Sequence, residues 1–302
     1  MNPVIDELIT VRDWLRYAVS RFNGADLFFG HGCDNALDEA AWLILATLKL
    51  PRDQLDPFLD ARLTRSERQA LAQILELRVV KRLPAAYLLG EAWLGEFRFT
   101  VDQRVIVPRS YFTELIGDGF APWLDDPGAV ATALDLCTGS GCLAILMALA
   151  FPAAKVDAVD LSADALAVAR RNVADYRLEE RVELIAADLF AGLAGRRYDL
   201  IVSNPPYVTA AAMNELPPEF RHEPQLALAA GEDGLDIVRR ILSRARAHLT
   251  PGGLLAVEVG HNRELVEAAF PDLPLTWIDS SGGEGKIFLL TSEQLPEGEA
   301  AA

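Results

Sequence analysis

Four consecutive residues, Asn204-Pro205-Pro206-Tyr207, follow an apolar run that ends at Ser203. Asn and Pro both serve turns, and in an arbitrary chain a turn would be the first reading. The same residues also suit one chemical task. Two prolines stiffen the backbone, so the carbonyl of Pro205 and the side-chain oxygen of Asn204 can accept both protons of a planar NH2 group from fixed positions. An amide nitrogen is a poor nucleophile because its lone pair is delocalised. Drawing both N–H bonds into acceptors favours a more tetrahedral nitrogen, and Tyr207 can stack on the planar group and hold it for in-line attack on a methyl donor. Asn204, Pro205, Pro206 and Tyr207 are therefore candidate catalytic residues that act by orientation and electrostatics, without a general base.

A second cluster could hold the donor. The stretch Asp135-Leu136-Cys137-Thr138-Gly139-Ser140-Gly141-Cys142 sets glycines where a strand gives way to a helix, which lets backbone approach a ligand closely. Gly139-x-Gly141-x-x-Ala144 matches a dinucleotide fingerprint, and Asp160 lies 19 residues past Gly141, where a ribose-binding acid belongs. S-adenosylmethionine also carries a ribose, so the loop alone fits either cofactor. Two later features separate them. Ala187-Asp188-Leu189 could present an acceptor and an apolar edge to an adenine amino group, and hydride transfer has no use for the Asn204 tetrapeptide.

These residues need a scaffold that gathers them. Apolar spacing predicts strands over 131–137, 156–161, 182–187, 198–203 and 254–259, with helices over 142–150, 163–176 and 235–249. Such alternation argues for an α/β protein with a parallel, doubly wound (Rossmann-like) sheet, whose ligands sit at the carboxyl ends of the strands. Residues 1–92 read instead as an N-terminal helical domain, with stripes such as Trp14, Leu15, Ala18 and Val19, and with a capping-box signature at Thr64 and Glu67. Between them, 93–110 reads as a β-hairpin linker, with strands over 97–101 and 105–107 about a turn at 102–104. The third domain would span 111–302, and the Ala- and Glu-rich tail after Leu295 is expected to fray.

Composition limits the function. With 28 Lys and Arg against 44 Asp and Glu, the 302-residue chain carries a net charge of −16, which argues against free nucleic acid as the main ligand. Residues 1–95 hold 11 basic and 13 acidic side chains and 96–302 hold 17 and 31, so the excess acid lies on the α/β part. The three cysteines (33, 137, 142) form no paired framework, the first residues do not read as a signal peptide, and the longest apolar run, 142–154, falls short of the roughly 20 residues a bilayer needs. A cytoplasmic protein is expected, with no membrane partner. The four histidines show no metal-ligand spacing, so no metal is expected. His31 with Cys33 reads as a loop at a domain edge, Cys142 as a packing residue, and the arginines of 235–249 as a solvated face.

Together, Asp135 to Cys142, Asp160, Asp188-Leu189 and Asn204 to Tyr207 resemble the motifs of class I S-adenosylmethionine-dependent methyltransferases that modify planar NH2 groups. Pro84-Ala85-Ala86-Tyr87-Leu88-Leu89-Gly90 and Val107-Pro108-Arg109 extend this to the protein-glutamine N5-methyltransferases, over nearly the whole chain. One branch of that family acts on peptide chain release factors, the other on the third protein of the large ribosomal subunit. Phe29 to Asn35 and Phe220 to Pro224 look like the ribosomal branch, and Arg109 is followed by Ser110-Tyr111-Phe112-Thr113-Glu114 where release-factor enzymes usually have Pro-Glu-Thr. Tyr111 departs from the proline often found there.

The resemblance implies that Thr138, Gly139, Ser140 and Gly141 face the methionine part of S-adenosylmethionine, that Asp160 binds the ribose, and that Asp188 and Leu189 meet the adenine. Asp135, Cys137, Leu161, Asn204 and Arg109 join this cofactor-binding set, with Pro108 and Arg109 closing over the site. Asn204 to Tyr207 would receive the substrate glutamine, and the helical domain would recognise the basic ribosomal protein, without sequence-specific nucleic-acid binding. Release-factor methylation, nucleic-acid base methylation and an inactive cofactor-binding fold are the rival readings.

Overall fold

The structure, a computed structural model, describes residues 4–297. The last five residues of the tail that is expected to fray, 298–302, lie outside the described residues. Helices α1 (Val4–Glu7), α2 (Val11–Gly24), α3 (Ala36–Thr47), α4 (Arg65–Lys81) and α5 (Ala85–Leu89) come first. Thr10 and Asp13 close a capping box at α2, and Thr64 and Glu67 do the same at α4 as their spacing predicts. Helices α2 and α3 pack together and bury Trp14, Ala18, Phe22, Ala40, Leu43 and Ile44.

A hairpin follows, but not the expected one. Its strands are β1 (Glu91–Leu94) and β2 (Phe97–Thr100), pairing Glu91 with Thr100 around a two-residue turn at Gly95. Gly95 has φ +62°, the left-handed conformation that such turns require. Residues 105–107 are not a strand, because their backbone groups bond elsewhere. Val105 N–H donates to Asp102 O at 3.1 Å, Tyr87 Oη–H donates to Val105 O at 2.5 Å, and Val107 N–H donates to Glu223 Oε1 at 2.9 Å.

After α6 (Phe112–Gly117) the chain alternates: β3 (Thr132–Leu136), α7 (Cys142–Ala150), β4 (Lys155–Asp160), α8 (Ala163–Asp175), β5 (Val182–Ala186) and β6 (Tyr198–Ser203). Then come α9 (Ala210–Glu215), α10 (Asp236–Arg244), β7 (Leu249–Glu258), α11 (Arg263–Ala269), β8 (Thr276–Ser280) and β9 (Gly283–Thr291). The seven-stranded sheet has the order β5-β4-β3-β6-β7-β9-β8. Strands β3 to β7 run parallel and β9 runs antiparallel between β7 and β8. This is the expected doubly wound α/β fold, with an antiparallel pair, β8 and β9, that hydropathy did not resolve.

Both faces are buried, as parallel sheets require. The period of two sends Ala133 of β3 into one core, shared with α2, α3, α7 and the hairpin, and sends Leu134 and Leu136 into another with Val238, Ile241 and Phe288. The helical region and the sheet thus share one continuous core. Strand order reverses between β3 and β6, and at that switch point their carboxyl ends project the glycine loop and the Asn204 tetrapeptide side by side.

Candidate active site

The loop from β3 to α7 turns through three left-handed residues, Cys137 (φ 61°), Gly139 (56°) and Gly141 (79°). Asp135, fully buried, fixes its frame: Thr138 Oγ1–H donates to Asp135 Oδ2 at 2.5 Å and Ala144 N–H donates to the same oxygen at 3.0 Å. Oδ1 of Asp135 is buried without a hydrogen-bond partner, and burial pushes this carboxyl up to about 7. Asn172 of α8 braces the loop from behind, donating to Ser140 O at 2.8 Å while its own oxygen accepts Thr100 N–H at 2.7 Å.

Asp160, at the tip of β4, accepts Gly139 N–H on Oδ2 and Ser162 N–H on Oδ1, each at 2.8 Å. Burial raises its carboxyl pKa against those two hydrogen bonds. The carboxylate is thereby fixed in orientation with lone pairs to spare. It borders a cleft, which Cys137, Gly139, Leu161, Asp188, Leu189 and Asn204 also line. A Cβ at Gly139 would meet no protein atom within 4 Å, so the loop leaves open space there. A rigid carboxylate at one strand tip, a half-exposed Asp188 at the next and an apolar Leu189 edge fit a group that carries a ribose and an adenine. Among the other residues expected on the cofactor, Asp135, Thr138, Ser140 and Gly141 frame the loop without lining this cleft, and Arg109 lines a second one. Arg240 of α10 is not simply solvated surface: its Nη2 lies 2.8 Å from Asp188 Oδ2 at the edge of the first cleft.

The second cleft opens between the helical region and the sheet, with Phe28 and Gly30 on one side and Tyr111 and Gly282 on the other. Asn204 lines both clefts, Pro206 the first, and Pro205 and Tyr207 the second. Ser203 Oγ–H donates to Leu136 O at 2.9 Å, tying the end of β6 to β3 just before the tetrapeptide. Tyr207 is clamped. Asn262 Nδ2–H donates to its carbonyl at 2.6 Å, and a Cβ at Gly260 would stand 2.7 Å from its ring. Burial pushes the Tyr207 phenol far up, so it stays protonated.

Behind Asn204 stands Glu258, the last residue of β7. Its Oε2 accepts Ser110 Oγ–H at 2.6 Å and Tyr111 N–H at 3.1 Å, and the carboxyl lines the second cleft together with Asn204. Burial pushes this acid up to about 7. Arg109 makes a bidentate pair with Glu223, at 2.5 and 2.6 Å, and lies over the Phe220 ring. Burial raises the Glu223 carboxyl, but Arg109, with His31 Nε2 3.7 Å away, holds it down at about 2. Glu219, on the short helical turn Pro218–His222 that precedes Glu223, accepts from Phe28 N–H, Arg78 and Arg82. Arg78 is itself buried and donates to Glu39 Oε1 at 2.6 Å and Phe28 O at 2.8 Å. His31, read as a loop residue at a domain edge, is thus a buried part of this junction.

Glu219, Glu258, Gly260 and Asn262 were missed as site residues. A signal existed for Glu258, a single acid inside the apolar run 254–259. Cys142 packs as expected, its thiol pushed up to about 12 by burial.

Two families match the chain. Methyltransferase small domain covers residues 120–270, and PrmC N-terminal domain covers 13–90. The ribosomal protein uL3 glutamine methyltransferase of Neisseria gonorrhoeae is 59% identical over 294 residues, spanning 97% of this chain and 98% of that protein. The protein of the same name from Bordetella pertussis is 58% identical, spanning 96% and 97%, and that from Bradyrhizobium diazoefficiens is 53% identical, spanning 96% and 92%. In fold, the catalytic domain of hMettl16 in complex with a MAT2A 3'UTR hairpin superposes with a TM-score of 0.50 at 14% identity, over 78% of this chain and 84% of that one.

Proposed function

The chain belongs to the ribosomal protein uL3 glutamine methyltransferase family, and on that footing we propose that it methylates N5 of a glutamine side chain in the large-subunit protein uL3, drawing the methyl from S-adenosylmethionine. The observation that carries this reading is the place of Asn204, on the wall common to both clefts. One cleft has the carboxylates for a ribose and an adenine, and the other has room for a protein side chain.

S-adenosylmethionine supplies a methyl group on a positively charged sulfur. Asp160 would hold the ribose hydroxyls, Asp188 and Leu189 the adenine, and Gly139 would let the backbone come close. Asn204 Oδ1 and Pro205 O would accept the two amide protons of the glutamine, and Tyr207 would stack on its plane. Clamping by Gly260 and Asn262 leaves little to reorganise at the moment of reaction. Arg109, Glu223 and Phe220 would shape the entrance for the substrate. We read residues 1–92 as the recognition domain, 93–110 as the linker and 111–302 as the catalytic domain, in a cytoplasmic enzyme. The excess acid on 96–302 suits a basic partner.

The test supplies labelled S-adenosylmethionine with purified uL3 or with a release factor and locates the added mass by peptide mass spectrometry. Label on a uL3 glutamine is expected; label confined to the release factor overturns the substrate assignment.

A further inference from the structure

Strands β6 and β7 pair Ser203 with Val257, so Asn204 and Glu258 leave neighbouring strand ends side by side. Glu258 is 1% exposed, yet it is an acid at the end of the buried apolar run 254–257 of β7. Its contacts explain why an acid is kept there. Ser110 Oγ–H and Tyr111 N–H both reach Oε2, and Asn204, beside Glu258 at the neighbouring strand end, lines the same cleft with its amide within the influence of the carboxyl. An asparagine amide has two ends of similar shape and opposite character, and nothing in its own chemistry decides which end faces the second cleft. Once ionised, above about pH 7, the Glu258 carboxylate only accepts. It therefore takes the NH2 end of Asn204 and leaves the oxygen free.

We propose that Glu258 is a positioning residue which, by accepting the Asn204 NH2, holds the Asn204 oxygen toward the substrate amide. This rests on the reading of Asn204 as the acceptor for the glutamine NH2. Turned the other way, the asparagine would set donors against donors, which leaves polar groups unpaired in a desolvated site. Ser110 and Tyr111, on the chain that follows Arg109, complete the support by fixing the carboxyl group itself.

An exchange of donor and acceptor tests this. Glu258→Gln keeps the shape but allows the asparagine to turn, and kcat is expected to fall on the order of 10- to 100-fold, with cofactor affinity by calorimetry within twofold of wild type. Asn204→Asp alone sets two acids together and is expected to lose at least as much. The double variant N204D/E258Q restores a donor–acceptor pair with an oxygen facing the cleft, and should recover kcat about tenfold over either single variant, since coupled residues depart from additivity. A purely structural Glu258 predicts losses that add, with no recovery. On the unaltered enzyme, the Asn204 NH2 signals in a 15N–1H spectrum should exchange slowly with water. Wild-type kcat in Glu258→Gln, additive losses, or fast exchange of those protons each overturn the proposal. If the wild-type enzyme methylates no glutamine, the parent reading fails first and this one with it.

Discussion

Asp135 and Asp160 stand at the ends of adjacent strands and carry the same group, but their surroundings give them different work. Asp135 is sealed behind the loop with Thr138 and Ala144, while Asp160 borders the cleft. Asp160→Ala should weaken cofactor binding by roughly 10- to 100-fold, the worth of about 1.5–3 kcal/mol for hydrogen bonds to a charged group, read by calorimetry. Asp135→Asn should act on stability. Its folded pKa is raised, so its favourable contribution is full below the ordinary carboxylate value near 3.8 and is lost as pH rises through about 7. The difference in Tm between Asp135→Asn and wild type should therefore shift in favour of the variant from pH 5 to pH 8; a difference independent of pH counts against a buried, raised acid. Asn204→Ala should cut methyl transfer on the order of 100-fold while cofactor affinity holds. At this scale the sequence was informative wherever chemistry is local. The loop, Asp160 and the tetrapeptide each stand out by type and spacing, and the structure brings Gly139, Asp160, Asn204 and Pro206 to one cleft. The resemblance puts Arg109 with the cofactor, whereas in the structure it pairs with Glu223, 114 residues away, and lines the second cleft, and no local pattern contains that pair.

Among the elements, the short turn Pro218–His222 and the residue that follows it carry most of the coupling between the helical region and the clefts. Glu219 is held by Arg78 and Arg82, and Glu223 by Arg109. Arg78→Met removes one partner from two buried acids, and should cost about 3–5 kcal/mol, measured as a lower denaturation midpoint. Glu223 adds an acid limb. Its folded pKa is lowered, so its contribution is present above the ordinary value near 4.5 and is lost as pH falls toward about 2. Acid unfolding of Glu223→Gln should accordingly be flatter between those pH values than that of wild type. Strong periodicity made most of the helices and parallel strands legible, since burial on one face repeats at short range. The hairpin register was not, because Gly95 offered a tighter turn than Asp102-Gln103-Arg104, and because the groups of 105–107 were claimed by Tyr87 and Glu223.

For the molecule as a whole, the charge of −16 and its concentration on 96–302 bear on encounter more than on chemistry. Raising salt from 50 to 500 mM should lower kcat/KM for the basic protein substrate severalfold and leave kcat nearly constant, because screening acts on association. An equal fall in kcat would place the acidic groups in the chemical step instead. The buried arginine at the junction has a further consequence, one for modularity. A helical head held by surface contacts could be exchanged among relatives like a tool bit. Here Arg78 and Glu219 are both closed off from water, so a transplanted head lacking a matching cation would strand an acid in the recipient. New target preferences on this scaffold must therefore come from change in both pieces together, or from the loops that line the second cleft without touching the buried pair.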